Sequence, residues 1–270
     1  MKNTFKSLKI VSFVFMLLLF VNCGGGEDDG FTPVPTRTAD DVRADFQNLT
    51  INAGINDLTL ESVVSGLFWN FRIIAPAGAS STNKRPLIMR LHGGATNVSS
   101  SIHQTTDCLA EPGLASLDAY IISPNSNGSH WYTDQNIVQI LALVDMVSSY
   151  LHVDANKRAV MGYSDGGNGA WFFSQYYSGL FSAAIPMASS YAVTSQSGVT
   201  HQFAKPIYAI HGADDDLFPL AITQGYIDET VGVGSDVTFV VAPGLEHFNS
   251  CVYVPYLQDA ADWLETTVWN

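Results

Sequence analysis

The feature that most constrains the fold is an alternation of short β-type apolar runs with longer stretches of helical periodicity, which begins near Leu58. Runs at 58–64 and 67–75 predict a leading antiparallel pair. Further strands are predicted at 86–91, 119–123, 158–162, 183–187, 207–210 and 237–241, and helices at 137–151 and 254–268. Such alternation is typical of parallel strands joined by crossover helices. We therefore predict an α/β fold with a mostly parallel central sheet and helices on both faces.

The amino-terminal segment has the layout of an export signal. Lys2, Lys6 and Lys9 precede an apolar run at 10–21, which is shorter than a membrane-spanning helix requires, and Cys23 follows closely. The stretch resembles the lipobox of bacterial lipoproteins, which implies acylation of Cys23 and export to the outer membrane or cell surface. We therefore predict a signal peptide at 1–22, a flexible Gly- and acid-rich tether at 23–38 and one α/β domain at 39–270. The alternative is an ordinary thiol at Cys23.

The charge balance argues against nucleic acid as a partner. The net charge of −13 becomes −16 without residues 1–22, because 9 basic residues then face 25 acidic ones. Phosphate binding requires a basic footprint, which such a chain lacks. In an exported protein Cys108 and Cys251 meet an oxidising environment, so we predict either a disulfide between them or two buried thiols. Their spacing fits no zinc site, and none is predicted.

A candidate nucleophile follows the strand predicted at 158–162. Gly162-Tyr163-Ser164-Asp165-Gly166 is the only G-x-S-x-G in the chain, and a helix is predicted from about Gly167. A sharp strand-to-helix turn would expose the Ser164 hydroxyl, and the flanking glycines would permit close backbone approach.

A serine hydroxyl needs a base and an orienting acid to act as a nucleophile at neutral pH. Acids at 214–216 follow the strand predicted at 207–210, and His247 follows the strand at 237–241. In open parallel sheets the site forms at the carboxyl ends of strands, so these groups are expected to meet. His92 and His211 stand in His-Gly turns at strand ends and are interpreted as structural. The other four histidines, His103, His130, His152 and His201, receive no role.

Acyl transfer also requires donors to the developing oxyanion. We assign one to the backbone N–H of Asp165. The second is assigned to Gly94 in the loop at 91–95, with Ala95 as the alternative.

These separated motifs, in this order, resemble the α/β-hydrolase superfamily over about 58–268. The family spacing H-G-x-x-D selects Asp215 as the triad acid, with Asp214 second. Within the superfamily the chain looks most like the group of feruloyl esterases, polyhydroxybutyrate depolymerases and predicted peptidases. That group shares an HGG motif (here at 92–94) and a Trp-containing loop (here Trp131). It also shares an Asp-x-x-Arg motif before the turn that carries the nucleophile, and this motif is offset by one residue here, at 154–158.

The resemblance implies a serine esterase that acts through Ser164, His247 and Asp215 without a metal or organic cofactor. The segment at 188–206 is short and polar, so we expect a minimal lid and an open cleft. Trp131 and Tyr191 are candidate substrate contacts, and the favoured alternative is that these aromatics pack in the core or at the rim of the cleft. Short-acyl, aromatic or polymer-borne esters, including polysaccharide esters, are the expected substrates. The alternatives are a serine peptidase of the same fold and a non-catalytic surface lipoprotein that binds a glycan or a partner protein.

Overall fold

The computed structural model describes residues 36–94 and 96–270. The predicted signal peptide, the acylation site at Cys23, most of the predicted tether and Ala95 lie outside the described residues. Their assignments stay predictions.

One eight-stranded sheet forms the centre of the described part of the chain. Its strands are β1 (Gly54–Glu61), β2 (Phe68–Ala75), β3 (Arg85–Leu91), β4 (Tyr120–Pro124), β5 (Val153–Tyr163), β6 (Ala183–Met187), β7 (Ile207–Gly212) and β8 (Val237–Ala242). The spatial order is β1-β2-β4-β3-β5-β6-β7-β8. β2 is antiparallel to β1 and β4, and the remaining neighbours are parallel. The predicted leading pair and mostly parallel sheet are confirmed.

Helices cover both faces of this sheet, as predicted. The α-helices are α1 (Ala39–Gln47), α2 (Ala110–Gly113), α3 (Asp134–Tyr150), α4 (Asp165–Tyr176), α5 (Leu220–Gly232) and α6 (Val254–Trp263), and a π-helical turn at Leu264–Val268 continues α6. Side chains of α1, α3, α4 and α5 enter one core, and those of α2 and α6 enter the other. The strands β4, β6 and β7 are buried at every position because both of their faces are covered.

Several boundaries differ from the predictions. Helix α4 begins at Asp165, two residues before the predicted start, and α1 and α5 were not predicted. Arg37 and Thr38, placed in the tether by sequence, belong to the fold. Arg37 pairs with Asp45, and the Thr38 side chain caps α1. Capping and ion pairing therefore place these two residues in the domain and not in the tether.

The connection between β6 and β7 contains an isolated bridge between Thr194 and Thr200, and no helix or strand is assigned to its described residues 188–206. The minimal lid expected from its length is therefore observed. None of the helices in the described part of the chain is long and apolar enough to cross a membrane.

Candidate active site

Ser164 stands at the turn between β5 and α4, in a backbone conformation that L residues rarely adopt. Its φ is 57° and its ψ is −120°, a strained geometry that typically costs about 1–3 kcal/mol. The turn is closed so tightly that a Cβ on Gly162 would overlap the carbonyl of Gly166, and a Cβ on Gly166 would overlap the carbonyl of Leu91. The two glycines of the motif are therefore required for close approach, and the turn projects Ser164 beyond the sheet edge.

A continuous chain of hydrogen bonds joins the three predicted triad residues. Ser164 Oγ lies 2.9 Å from His247 Nε2, and His247 Nδ1 lies 2.9 Å from Asp215 Oδ2. The side chains of His247 and Asp215 are 4% and 0% exposed. If Nδ1 donates to the carboxylate, Nε2 is left as the acceptor that a serine proton requires. We call His247 and Asp215 the triad pair.

Asp215 is the one of three consecutive aspartates whose side chain points inward. Asp214 and Asp216 are exposed, whereas Asp215 is buried. Its Oδ1 accepts hydrogen bonds from the backbone N–H groups of Leu217 and Phe218 at 3.1 Å and 2.8 Å. These bonds hold the carboxylate in place and satisfy the oxygen that does not face His247.

The loop that carries His247 is fixed by two tyrosines and a disulfide. Tyr163 Oη donates to the carbonyl of His247 at 2.6 Å, and Tyr253 Oη donates to the carbonyl of Glu246 at 3.2 Å. Burial raises the pKa of Tyr253 to about 12, so its phenol keeps the donated proton at neutral pH. Cys108 and Cys251 form a disulfide, which ties the chain just after His247 to the segment that precedes α2.

The groups assigned to the oxyanion hole lie beside the nucleophile. Asp165 is the first residue of α4, where the backbone N–H groups have no partner within the helix. Gly93 is packed so closely that an added Cβ would lie 3.3 Å from Ser164 Cβ. Gly94 has a φ of 87° and lines the same pocket as Ser164. The alternative donor, Ala95, lies outside the described residues.

His92 and His211 are inside the protein and hydrogen-bond to backbone groups. His92 Nε2 accepts from the backbone N–H of Ser126 at 3.0 Å, and burial lowers the pKa of His92 to about 3. His211 Nε2 donates to the carbonyl of Phe218 at 2.7 Å, and burial lowers its pKa as well. Both rings are therefore neutral and hold loops at the sheet edge, which agrees with the structural interpretation.

A cavity of about 660 Å³ opens in front of Ser164. Near His247 its wall is apolar, with Phe218 and Phe248 in edge-on contact with the imidazole ring at 5.1 Å and 5.3 Å. Near Asp165 the wall is polar. The lining residues are Gly93, Gly94, His130, Tyr163, Ser164, Asp165, Asn168, Leu217, Phe218, His247, Phe248 and Ser250. No group of three or more His, Cys, Asp or Glu that would hold a metal ion occurs among residues 36–94 and 96–270.

Neither of the two candidate substrate contacts lines the cavity in front of Ser164. Trp131 is fully buried, and its Nε1 donates to the carbonyl of His92 at 3.0 Å, so it stabilises the HGG loop at 92–94 from inside the core. Tyr191 lines a different cavity, where its hydroxyl donates to Gln175 at 2.7 Å. Both residues follow predicted strands, but sequence position does not determine the direction of a side chain.

His130 is an ionisable pocket residue to which the sequence analysis gave no role. Its Nδ1 lies 2.7 Å from Asp165 Oδ1, and both residues line the cavity in front of Ser164. We call His130 and Asp165 the pocket pair. The available signal was topological, because His130 lies in the loop after the carboxyl end of β4, where parallel sheets collect their functional groups.

The fold and the Ser164–His247–Asp215 constellation define an α/β-hydrolase-fold protein with the geometry of a serine hydrolase site. The model of the dienelactone hydrolase family matches residues 115–264, which is more than half of the chain and includes all three residues. The chain belongs to the dienelactone hydrolase family. The resemblance to feruloyl esterases and polyhydroxybutyrate depolymerases stays a prediction. The sequence matches none of the curated proteins with which it was compared.

Solved structures share the fold at low sequence identity. A thermostable esterase has a TM-score of 0.64 at 19% identity, with 78% of this chain and 62% of that chain covered. A putative dipeptidyl aminopeptidase IV from Bacteroides ovatus has a TM-score of 0.63 at 14% identity, with 78% and 35% covered. The chain therefore spans less than two thirds of each of these two. A substrate-bound, fluorophosphonate-binding serine hydrolase of Staphylococcus aureus has a TM-score of 0.63 at 17% identity, with 79% and 99% covered.

Proposed function

We propose that this protein is a serine esterase that hydrolyses carboxylic esters through an acyl-enzyme on Ser164. The observation that carries the proposal is the hydrogen-bonded chain from Ser164 Oγ through His247 to Asp215, with both bonds at 2.9 Å. Ser164, at the start of this row of hydrogen bonds, stands at a strained turn and lines a cavity large enough for a small ester. Membership of a hydrolase family and the fold shared with esterases support the same reaction class.

In the first half-reaction, His247 Nε2 takes the Ser164 proton as Oγ attacks the ester carbonyl. The oxyanion that forms accepts hydrogen bonds from the backbone N–H groups of Asp165 and Gly94. Collapse of the tetrahedral intermediate breaks the bond to the alcohol, which leaves with the proton from His247. Throughout, Asp215 keeps the imidazole in the correct tautomer and stabilises its charged form.

In the second half-reaction, water replaces the alcohol. His247 accepts a proton from the water as it attacks the acyl-enzyme, and the new tetrahedral intermediate expels Ser164 Oγ. The same imidazole returns the proton to Oγ, and the carboxylic acid is released. The three residues are thereby regenerated without any net consumption.

The cavity favours small, aromatic or polymer-borne esters over long-chain lipids. Its apolar wall includes Phe248, which is 79% exposed, and Leu217, which is 50% exposed. The connection at 188–206 contains no helix that would close over the cavity to form a lipid tunnel. A series of p-nitrophenyl esters should therefore give the highest kcat/KM at short or aromatic acyl groups, and a maximum at long acyl groups would contradict this substrate class.

Fluorophosphonate labelling tests the reaction class itself. The wild type should be labelled and should hydrolyse at least one ester of a panel, whereas Ser164→Ala should do neither. A matched control is Ser182→Ala, since Ser182 lies outside the cavity. Faster cleavage of aminoacyl p-nitroanilides than of esters would favour the peptidase alternative. Absence of labelling with a folded wild type would favour a binding protein.

We also propose that the protein is exported and acylated at Cys23. The basic start, the short apolar run and the Gly- and acid-rich stretch after Cys23 support this location. Palmitate labelling of the full-length protein, lost in Cys23→Ala, would support it. An unlabelled protein, or a Cys23→Ala protein that stays with membranes, would contradict it.

A further inference from the structure

The pocket pair presents a second imidazole next to the nucleophile. Asp165 follows Ser164 directly in the chain, and His130 comes from a loop 35 residues earlier. The side chain of His130 is 40% exposed, whereas that of Asp165 is 10% exposed. The exposed member of the pair therefore faces the cavity, and the buried member holds it there.

Separate contacts hold the backbone and the ring of His130. Asn136 Nδ2 and Thr133 Oγ1 donate to the His130 carbonyl at 3.0 Å and 2.9 Å. The ring stacks on Tyr132, with centroids 4.9 Å apart and an interplanar angle of 9°. The bond from Nδ1 to Asp165 and the stacking on Tyr132 restrict rotation of the ring, so the ring costs little entropy to order when a ligand binds.

The second ring nitrogen of His130 is available to a ligand. Within residues 36–94 and 96–270, Nε2 makes no hydrogen bond, and the residue lines the cavity that contains Ser164. When Nδ1 carries a proton and donates it to Asp165, Nε2 accepts a hydrogen bond in the neutral ring and donates one in the charged ring. A hydroxyl group can complement either form, because it both donates and accepts.

The buried partner explains why the imidazole is needed at this position. Asp165 Oδ2 is buried with no partner among the described residues, and burial raises the pKa of this carboxyl despite its bond to His130. A bare carboxylate here would oppose the negative charge that forms at the neighbouring oxyanion site. Its bond to His130 offsets that charge and at the same time orients the ring.

We propose that His130 is a substrate-binding residue whose Nε2 recognises a hydroxyl group of the ester, with Asp165 as the residue that positions the ring. The preferred substrates are then esters of hydroxy acids or of polyols such as sugars, in which a hydroxyl lies near the scissile bond. This inference rests on the proposed esterase function and specifies its substrate class.

The test compares matched esters with and without a hydroxyl. On the acyl side the pair is p-nitrophenyl 3-hydroxybutyrate and p-nitrophenyl butyrate. On the alcohol side it is the monobutyrate of glycerol and propyl butyrate. For at least one pair, His130→Phe should lower the ratio of kcat/KM for the hydroxylated to the plain ester about 5-fold, which is what the loss of one hydrogen bond predicts. Phenylalanine keeps the stacking on Tyr132 but has no ring nitrogen.

Additional variants separate recognition from damage to the fold. His130→Gln keeps a polar group and should retain part of the ratio, and Asp165→Asn should lower it less than His130→Phe does. His152→Gln is the matched control, because His152 is exposed and lies outside the cavity. Fluorophosphonate labelling of each variant verifies that its site is folded.

The outcomes distinguish this inference from the proposed function. A ratio that falls in His130→Phe with retained labelling supports the role of His130. An unchanged ratio for both pairs, or equal losses for the hydroxylated and plain esters, contradicts that role and leaves the esterase function intact. A folded wild type that neither labels nor hydrolyses any ester contradicts both.

Discussion

Two histidine–aspartate pairs each contribute their histidine to the lining of one cavity, and they differ in burial and in the contact made by the second ring nitrogen. In the triad pair, His247 is 4% exposed and its Nε2 meets Ser164 Oγ. In the pocket pair, His130 is 40% exposed and lines the cavity, and its Nε2 makes no hydrogen bond within residues 36–94 and 96–270. The same two residue types therefore serve different purposes. An enclosed imidazole bonded to a hydroxyl suits proton transfer, and a half-exposed one suits ligand recognition.

The two carboxylates also differ in how completely their oxygens are hydrogen-bonded. Asp215 Oδ1 accepts two backbone N–H bonds, whereas Asp165 Oδ2 has no partner in the part of the chain that the structure describes. A carboxylate that two backbone N–H groups hold beside the imidazole is fixed in the position from which it can stabilise an imidazolium during reaction. We therefore expect substitutions in the triad pair to reduce the rate and substitutions in the pocket pair to change selectivity.

The largest expected effect comes from replacing each aspartate by asparagine. Asp215→Asn should lower kcat by about 10⁴-fold, because the amide would hold His247 in the wrong tautomer. Asp165→Asn should lower kcat by less than about 10-fold, because this carboxylate is hydrogen-bonded to His130 and not to the catalytic imidazole. Steady-state kinetics on one activated ester measures both. Equal losses in the two variants would contradict the division between the pairs.

The next largest effect is a loss of stability on removal of the disulfide that holds the loop carrying His247. Replacing Cys108 and Cys251 by serine should lower the free energy of unfolding by about 2–5 kcal/mol, because the bridge closes a long loop. Urea unfolding measures the change. As a control, a reductant should destabilise the wild type but not the double variant. Equal stability of the two proteins without reductant would show that the bridge contributes nothing.

A smaller effect on stability and kcat is expected from replacing Tyr163, which is hydrogen-bonded to the backbone of His247. Tyr163→Phe removes the hydroxyl that donates to the His247 carbonyl at 2.6 Å. An unsatisfied buried carbonyl costs about 1–3 kcal/mol, so we expect a measurable loss of both stability and kcat. Tyr150→Phe, on the exposed end of α3, is the matched control. Unaltered kcat in Tyr163→Phe would mean that the disulfide and Tyr253 suffice to place His247.

The smallest effect is a pH dependence of stability from the pocket pair. Burial raises the pKa of Asp165 above its ordinary value, so its ionised form is less favourable in the folded than in the unfolded protein. Its contribution to stability is therefore present at low pH and is lost as pH rises from the ordinary value to the raised one. Asp165→Asn does not titrate, so its stability relative to wild type should increase from about pH 4 to about pH 7. Urea unfolding at both pH values measures this, and a constant difference would contradict it.

Much of the fold could be predicted because the spacing of apolar residues indicates most of the strands and two of the helices. The predicted strands at 183–187 and 207–210 agree with β6 and β7 within two residues at either end. Helix α5 was missed because its apolar side chains are spread around the axis, with Thr223 and Thr230 buried beside Ile227. Helix α1 was missed because it is short, acidic and defined by a capping box at Thr38.

The site was predictable only where strand order decides it. Ser164, Asp215 and His247 follow β5, β7 and β8, so their meeting follows from the topology. The direction of a side chain does not follow from the topology. Trp131 was therefore considered as a cleft residue, although it is fully buried. His130 was missed because its partner, Asp165, is 35 residues away and no sequence motif joins them.

The most direct test of the central claim is to trap the acyl-enzyme. Rapid mixing of the wild type with excess p-nitrophenyl butyrate, followed by acid quench and mass spectrometry, should give a butyryl adduct on the peptide that contains Ser164. The adduct should be absent in Ser164→Ala and should form far more slowly in His247→Gln. A butyryl group on another residue, or hydrolysis that persists at the wild-type rate in Ser164→Ala, would contradict the account.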